Sequence, residues 1–268
     1  MTAETGELLR LARDIAVEAG ELAARLRREG VEVQATKSSP IDIVTAADRA
    51  AEDLIRGRLA AARPEDGFLG EESGAGSGTS GITWVVDPID GTVNYLYDLP
   101  NWSVSIAAVE GEPDPAAWRP LAGAVAAPAL GEVFTASAGG GAHLGDRALQ
   151  VRPPAALDRA LLSTGFHYTQ AIRGEQARVA GELIPRVRDL RRTGGAAIDL
   201  ASVAAGRLDG YFEQGLNPWD QAAGGLLVRE AGGAVTGLGG AAPSHRMVIA
   251  GHPDLVRELD ELLQALGA

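Results

Sequence analysis

Two aspartates close an apolar run in the segment Ile82-Thr83-Trp84-Val85-Val86-Asp87-Pro88-Ile89-Asp90-Gly91-Thr92. A strand that ends in carboxylates offers hard oxygen ligands, which suit Mg²⁺. Pro88 stiffens the exit from the strand, and Gly91 permits a turn. If a helix or turn starts at Thr92, the N–H groups of Gly91 and Thr92 face outward and can hold a phosphate oxygen. The same residues also compose an ordinary turn, since Asp-Pro and Asp-Gly are common turn formers. Three further acids fall at expected element ends. Asp220 follows Trp219 at a helix start, Glu71 ends the short strand Phe68-Leu69, and Asp48 lies in the first turn of a helix. Taken singly, Asp48 and Asp220 read as helix caps. Brought to one spot, these carboxylates would repel one another unless cations lay between them.

Other catalytic chemistries lack their residues. The absence of Cys removes disulfides, thiolate zinc, iron–sulfur clusters and cysteine nucleophiles. His143, His167, His245 and His252 are the only histidines, and none is spaced to pair with another on a helix. Each reads as a surface or hydrogen-bonding residue. There is no Gly-x-Ser-x-Gly elbow, and Gly139-Gly140-Gly141 lacks the Lys-Ser or Lys-Thr of a nucleotide phosphate loop. Gly76, Gly78 and Gly81 match Gly-x-Gly-x-x-Gly but run into a strand, where a dinucleotide site needs a helix.

The elements that must position these acids follow from periodicity. Leu8, Ala12, Ile15, Ala19, Leu22 and Leu26 mark an amphipathic helix between Thr5 and Gly30. A short strand at 31–33 precedes a second helix that starts at Thr45 and closes by Pro64. Residues 73–81, rich in Gly and Ser, read as a surface loop. Strands are expected at 82–86, 104–109, 121–126 and 133–136, with a turn at Gly145-Asp146. The second half alternates strand and helix: 161–163, 171–184, 189–191, 196–205, 208–212, 219–231, 247–250 and 253–266. The pattern is mixed, an α+β half over 1–150 carrying most of the acids and an α/β half over 151–268 completing the site, in one structural unit.

A chain of 268 residues can bury a large core without disulfide or structural metal. Its 36 acidic against 24 basic residues give a net charge of −12, which argues against nucleic-acid binding. No apolar run is long enough to span a membrane. Glu4 and Glu7 precede the first apolar stripe, unlike a secretory signal. The expected setting is therefore the cytoplasm.

The motif set resembles the inositol monophosphatase family. It comprises Lys37-Ser38-Ser39-Pro40, Asp42-Ile43-Val44-Thr45-Ala46-Ala47-Asp48, Gly70-Glu71-Glu72-Ser73, the block Trp84 to Thr92 with Asn94-Tyr95, and Pro218-Trp219-Asp220 with Ala222-Ala223-Gly224. The resemblance spans nearly the whole chain. It implies a layered αβαβα sandwich of the inositol monophosphatase and fructose-1,6-bisphosphatase type. It also implies a lithium-sensitive phosphomonoesterase with two or three Mg²⁺ ions, often a homodimer. Glu71, Asp87 and the Ile89 carbonyl would hold a first ion, Asp87, Asp90 and Asp220 a second, and Glu71 with waters a third. Thr92, bonded toward Asp48, would orient and deprotonate the attacking water, with Glu71 also in the catalytic set. Gly91 and Thr92 N–H groups would take phosphate oxygens. Asp90, Glu213, Asp220 and the Ala197 backbone would contact the substrate. Lys37 is expected in a loop, either assisting the metal site or as a plain surface lysine.

The implied substrate is a small polyol phosphate, inositol 1-phosphate foremost. Histidinol phosphate or another small metabolite is the alternative within the family. The stretch Gly194-Gly195-Ala196-Ala197 lacks the Ser or Thr that family members often place there, so any side-chain hydroxyl contact is missing. A reading from another class is a metal-binding regulatory protein on a retired phosphatase scaffold. The full set of acids and Thr92 speaks against it.

Overall fold

The first apolar stripe folds as α1 (Ala3–Glu29), with Leu8, Ala12 and Ala19 fully buried. The chain leaves it at Gly30, whose φ of 116° favours a residue without Cβ. Thr5, expected as the cap, lies inside the helix because α1 already begins at Ala3. The structure is a computed structural model and describes residues 3–31, 33–36 and 43–268. The Lys37-Ser38-Ser39-Pro40 motif and Asp42 lie outside the described residues.

β1 (Val33–Thr36) and β2 (Ile43–Thr45) pair antiparallel, so the expected strand at 31–33 is shifted toward β2. α2 (Ala46–Ala62) starts as expected at Thr45. Its capping box joins the Ala47 N–H to Thr45 Oγ1 at 3.2 Å and the Thr45 N–H to Asp48 Oδ2 at 2.8 Å. There follow β3 (Gly67–Gly70), β4 (Gly74–Gly76), β5 (Ile82–Asp90), α3 (Thr92–Leu96), β6 (Ser103–Glu110), β7 (Arg119–Ala127), β8 (Glu132–Ser137), β9 (Gly141–Leu144) and β10 (Arg147–Ala148). They build one sheet in the order β10-β9-β8-β7-β6-β5-β3-β4, parallel only between β3 and β5. The expected loop at 73–81 therefore contains a strand. β4 satisfies the open edge of β3, pairing Ala75 with Leu69.

The second half contains β11 (Leu161–Thr164), α4 (Gln170–Leu183), β12 (Asp189–Arg191), α5 (Ala196–Ala204), β13 (Gly210–Glu213), α6 (Pro218–Glu230), β14 (Ala234–Thr236), β15 (Val248–Gly251) and α7 (Pro253–Ala265). Its sheet order is β12-β11-β13-β15-β14, with β15 antiparallel to both neighbours. β9, β10 and β14 escape the sequence pattern because they are too short to show alternation.

The layers run αβαβα. α1 and α2 cover one face of the large sheet through Trp84, Val86 and Ile106. α5 and α6 fill the space between the sheets, against Val85, Ala107 and Val125 on one side and Tyr211, Val248 and Ala250 on the other. α4 and α7 close the far face with Val179, Leu183, Leu255 and Leu259. The middle layer is thin because its contacts are small. A Cβ on Gly224 would lie 2.7 Å from Leu200 Cβ, and one on Gly123 3.1 Å from Ala223 Cα. This close approach brings the N-termini of α5 and α6 to the end of β5.

Candidate active site

Along β5, Trp84 and Val86 face α1 and α2 while Val85 faces α5 and α6. Asp87 continues the face of Val85 by alternation. Strict alternation would put Asp90 on the opposite face. The ladder instead pairs Asp87 with Ser105 and Asp90 with Ser103, three steps on one strand against two on the other. This one-residue bulge, at a Pro88 that has no N–H to offer the ladder, returns Asp90 to the side of Asp87. Asp220, in the first turn of α6, completes the group: ligand oxygens of Asp87, Asp90 and Asp220 all lie within 4.8 Å of one another.

Each acid is held by backbone donors. Asp87 Oδ1 accepts the Ile89 N–H at 3.0 Å. Asp90 Oδ1 and Oδ2 accept the Ala196 and Ala197 N–H groups, each at 3.0 Å, and Ser103 Oγ donates to Oδ2 at 3.3 Å. The carboxylate thus sits on the start of α5, whose free N–H groups favour an anion. Asp220 Oδ2 accepts the Asn217 N–H at 2.6 Å. The Glu71 N–H donates to Val86 O at 3.2 Å, continuing the β3–β5 pairing and setting the Glu71 side chain against Asp87.

Asp48 does two things at once. Its Oδ2 caps α2, with Thr45 Oγ1 at 2.5 Å, and its Oδ1 lies 3.3 Å from Thr92 Oγ1. The same hydroxyl is 3.1 Å from the Ile89 carbonyl oxygen. Gly91 enters α3 with φ of 88°, and a Cβ there would come within 2.8 Å of Asn101 O. Tyr95 anchors this short helix by donating from its hydroxyl to Ala23 O in α1 at 2.8 Å.

Burial dominates the electrostatics. Asp87 and Asp90 are 2 % and 6 % exposed. Desolvation, then the neighbouring Glu71, Asp90 and Asp220 charges, holds the Asp87 carboxyl well above the usual range. Asp90 is pushed up to about 7 by burial, although the α5 N–H groups oppose the shift. Asp220 moves the same way, through desolvation and then Glu71 and Asp90. Asp48 rises to about 6, by burial and more weakly by Glu71 and Glu72. Buried, converging hard-oxygen donors that resist ionisation together fit a divalent cation of the Mg²⁺ type.

A stability prediction follows. A carboxyl raised by folding binds more protons in the folded than in the unfolded state between its two pKa values. For Asp90 that window runs from 3.8 to about 7, so cation-free protein loses stability as pH rises through it. A divalent cation should reverse the loss above the window. Thermal melts with and without Mg²⁺ are expected to differ by several degrees near pH 8 and little near pH 5. An equal Mg²⁺ effect at both pH values would contradict this.

The acids open into a cavity of about 330 Å³ lined also by Gly91, Thr92, Glu213 and Ala196. Tyr211 Oη donates to Glu213 Oε2 at 2.5 Å, and burial raises the Glu213 carboxyl to about 7. The Glu213 carboxylate lies on Gly165, where an added Cβ would fall 2.1 Å from its oxygens. Ala197 does not line the cavity. It is fully buried behind the wall, with its N–H donating to Asp90.

Arg192, His167, Tyr168 and His245 also line the cavity, and no motif in the sequence marks them for it. The two imidazoles stand edge to face with centroids 6.3 Å apart, and His167 Nδ1 accepts the Thr169 N–H at 2.9 Å. Nothing in their spacing signals this, because His167 and His245 meet through separate loops.

A sequence profile described as the inositol monophosphatase family matches residues 4–266. The chain is 45 % identical over 243 residues to the inositol-1-monophosphatase SuhB of Mycobacterium tuberculosis, covering 86 % of this chain and 80 % of the relative. It is 39 % identical over 272 residues to the Nus factor SuhB of Escherichia coli, covering 97 % and 98 %. The crystal structure of the extragenic suppressor protein suhB from Bartonella henselae superposes with a TM-score of 0.88 at 36 % identity, covering 96 % of this chain and 98 % of that one.

Proposed function

The chain belongs to the inositol monophosphatase family, and we propose that it is a Mg²⁺-dependent phosphomonoesterase acting on a small polyol phosphate, inositol 1-phosphate foremost. The observation that carries this reading is the convergence of Asp87, Asp90 and Asp220 beside the Thr92–Asp48 pair. Glu71, Asp87, Asp90, Asp220 and the Ile89 carbonyl are the proposed holders of two or three Mg²⁺ ions, which would neutralise the phosphate, lower the pKa of water and stabilise the leaving alkoxide.

The chain's own groups do the positioning. Gly91 and Thr92 N–H groups bind phosphate oxygens. Thr92 Oγ1 donates to Asp48 or to the Ile89 carbonyl and accepts from the attacking water, which fixes that water's approach. Asp48, raised to about 6, is still mostly ionised at neutral pH and suits a base that receives the proton through Thr92. Glu71 helps hold the water. Glu213, Asp90 and Asp220 accept hydroxyls of the polyol, and Tyr211 orients Glu213. No covalent phosphoenzyme is needed.

The complete acid set with Thr92 favours catalysis over a regulatory protein on a retired scaffold, although the Escherichia coli relatives are named Nus factor SuhB. No described helix is long and apolar enough to cross a membrane. The proposed setting is the cytoplasm, as expected from the pattern of apolar and charged residues in the sequence, and the proposed state a homodimer, supported by the family resemblance. Histidinol phosphate is the rival substrate.

The test is phosphate release from a panel of small phosphomonoesters, with Mg²⁺ or excess EDTA. Wild-type protein is expected to prefer inositol 1-phosphate and to lose turnover in EDTA. Glu213→Gln should raise KM for the polyol phosphate with little change in kcat on an aryl phosphate. Undiminished turnover in EDTA sinks the cation chemistry, and equal damage to both substrates removes Glu213 from substrate reading.

A further inference from the structure

α2 carries a second buried acid one turn beyond Asp48. Glu52 is 2 % exposed and does not line the cavity. Residues four apart on a helix share a face, so α2 directs Asp48 toward Thr92 and Glu52 toward the turn after β3. There both carboxylate oxygens of Glu52 are used. Oε2 accepts the Glu72 N–H at 2.9 Å, and Oε1 accepts the Ser73 N–H at 2.8 Å. These two amides directly follow Glu71. The neighbouring Gly70 leaves the space this requires, since a Cβ there would lie 2.5 Å from Glu52 Oε2.

The turn needs such a clamp. The β3–β5 pairing fixes the chain up to the Glu71 N–H. β4 resumes only at Gly74. Between them, the Glu71 side chain lies against Asp87, in a contact that combines a side-chain hydrogen bond with charge repulsion and so depends on the path of the turn. A carboxylate that takes two successive N–H groups sets the path of that turn, and charge-assisted bonds of this kind are stronger than neutral ones.

We propose that Glu52 is a positioning residue for the cation site, holding the 71–73 turn so that Glu71 stays aimed at Asp87. The proposal rests on the phosphatase reading above. Glu52 touches no reacting atom; it acts through Glu71. Loss of such a supporting contact typically costs 10- to 100-fold in metal affinity.

Glu52→Gln is close to isosteric but has one acceptor oxygen and a donor in place of the other, so one of the two N–H groups loses its partner. Titration calorimetry with Mg²⁺ is expected to show affinity lowered roughly 10- to 100-fold. The Mg²⁺ concentration for half-maximal turnover should rise by the same factor, with turnover recovering as Mg²⁺ is raised. Glu52→Asp, which keeps the charge but is shorter, should lose less. Gly70→Ala keeps the Glu52 side chain but its Cβ would fall 2.5 Å from Glu52 Oε2 and push the carboxylate off the two N–H groups, and it should lower affinity in the same direction.

A merely structural acid gives a different result: melting temperature falls in Glu52→Gln while Mg²⁺ affinity of the folded protein stays at the wild-type value. That outcome, or wild-type affinity in both Glu52→Gln and Gly70→Ala, overturns the proposal. If Glu52→Gln does not fold, affinity in Glu52→Asp and Gly70→Ala decides. Wild-type protein that binds no Mg²⁺ would instead overturn the phosphatase reading itself.

Discussion

Asp90→Asn is expected to lower kcat by roughly 10²-fold or more and to weaken binding of a divalent cation. The carboxylate faces Asp87 and Asp220 within 4.8 Å, so the substitution removes one of three charges that a cation there would balance. That balance matters most when negative charge grows on the leaving oxygen, which is why turnover should suffer more than substrate binding. There is also a folding cost. Asp90 receives the Ala196 and Ala197 N–H groups on its two oxygens. An amide has one acceptor oxygen, so its NH₂ would face one of those donors. Leaving a buried donor unmet costs about 1–3 kcal/mol. Steady-state kinetics at saturating Mg²⁺, calorimetry with Mg²⁺ and a thermal melt separate the two effects. Near-normal kcat in folded Asp90→Asn would remove the Asp87-to-Thr92 block from the catalytic centre.

Thr92→Val should separate activation from cation holding. Valine keeps the branched shape and removes only the hydroxyl that lies 3.3 Å from Asp48 Oδ1 and 3.1 Å from Ile89 O. Proton transfer by a positioned group contributes typically about 10²- to 10⁴-fold, and a loss of that order is expected in kcat. Mg²⁺ affinity should stay near the wild-type value, because no acid moves or loses charge. Thr92→Ser, which retains the hydroxyl, should recover most of the rate. If Thr92→Val kept kcat within a few-fold, Asp48 would be left with helix capping alone. If it lost cation affinity as strongly as Asp90→Asn, Thr92 would belong to the support of the acids.

Much of the chemistry was legible because it is written in contiguous blocks. Asp87-Pro88-Ile89-Asp90-Gly91-Thr92 contains acids, turn formers and a hydroxyl within one strand exit, and Thr45 with Asp48 spells a helix cap. The longer helices and central strands were legible for a similar reason. In α1, apolar spacing extends over enough residues to fix a period, and β6 is a long run of buried residues, whereas β4 and β14 have three residues each and show neither.

The sequence by itself determined the donor types, their order and the family resemblance, which depend on residue identity and local spacing; the layered fold class was what that resemblance implied. Only the tertiary structure decided which of those residues meet. The bulge that turns Asp90 to the side of Asp87 is defined by the β6 register. The N–H groups that hold Asp90 come from α5, 106 and 107 residues further on. Glu52 reads as one more polar position on α2 until β3 brings Glu72 and Ser73 against it. The rise of Asp90 and Glu213 to about 7 likewise has no local cause. It comes from desolvation, and solvent is excluded only when distant elements close around a group.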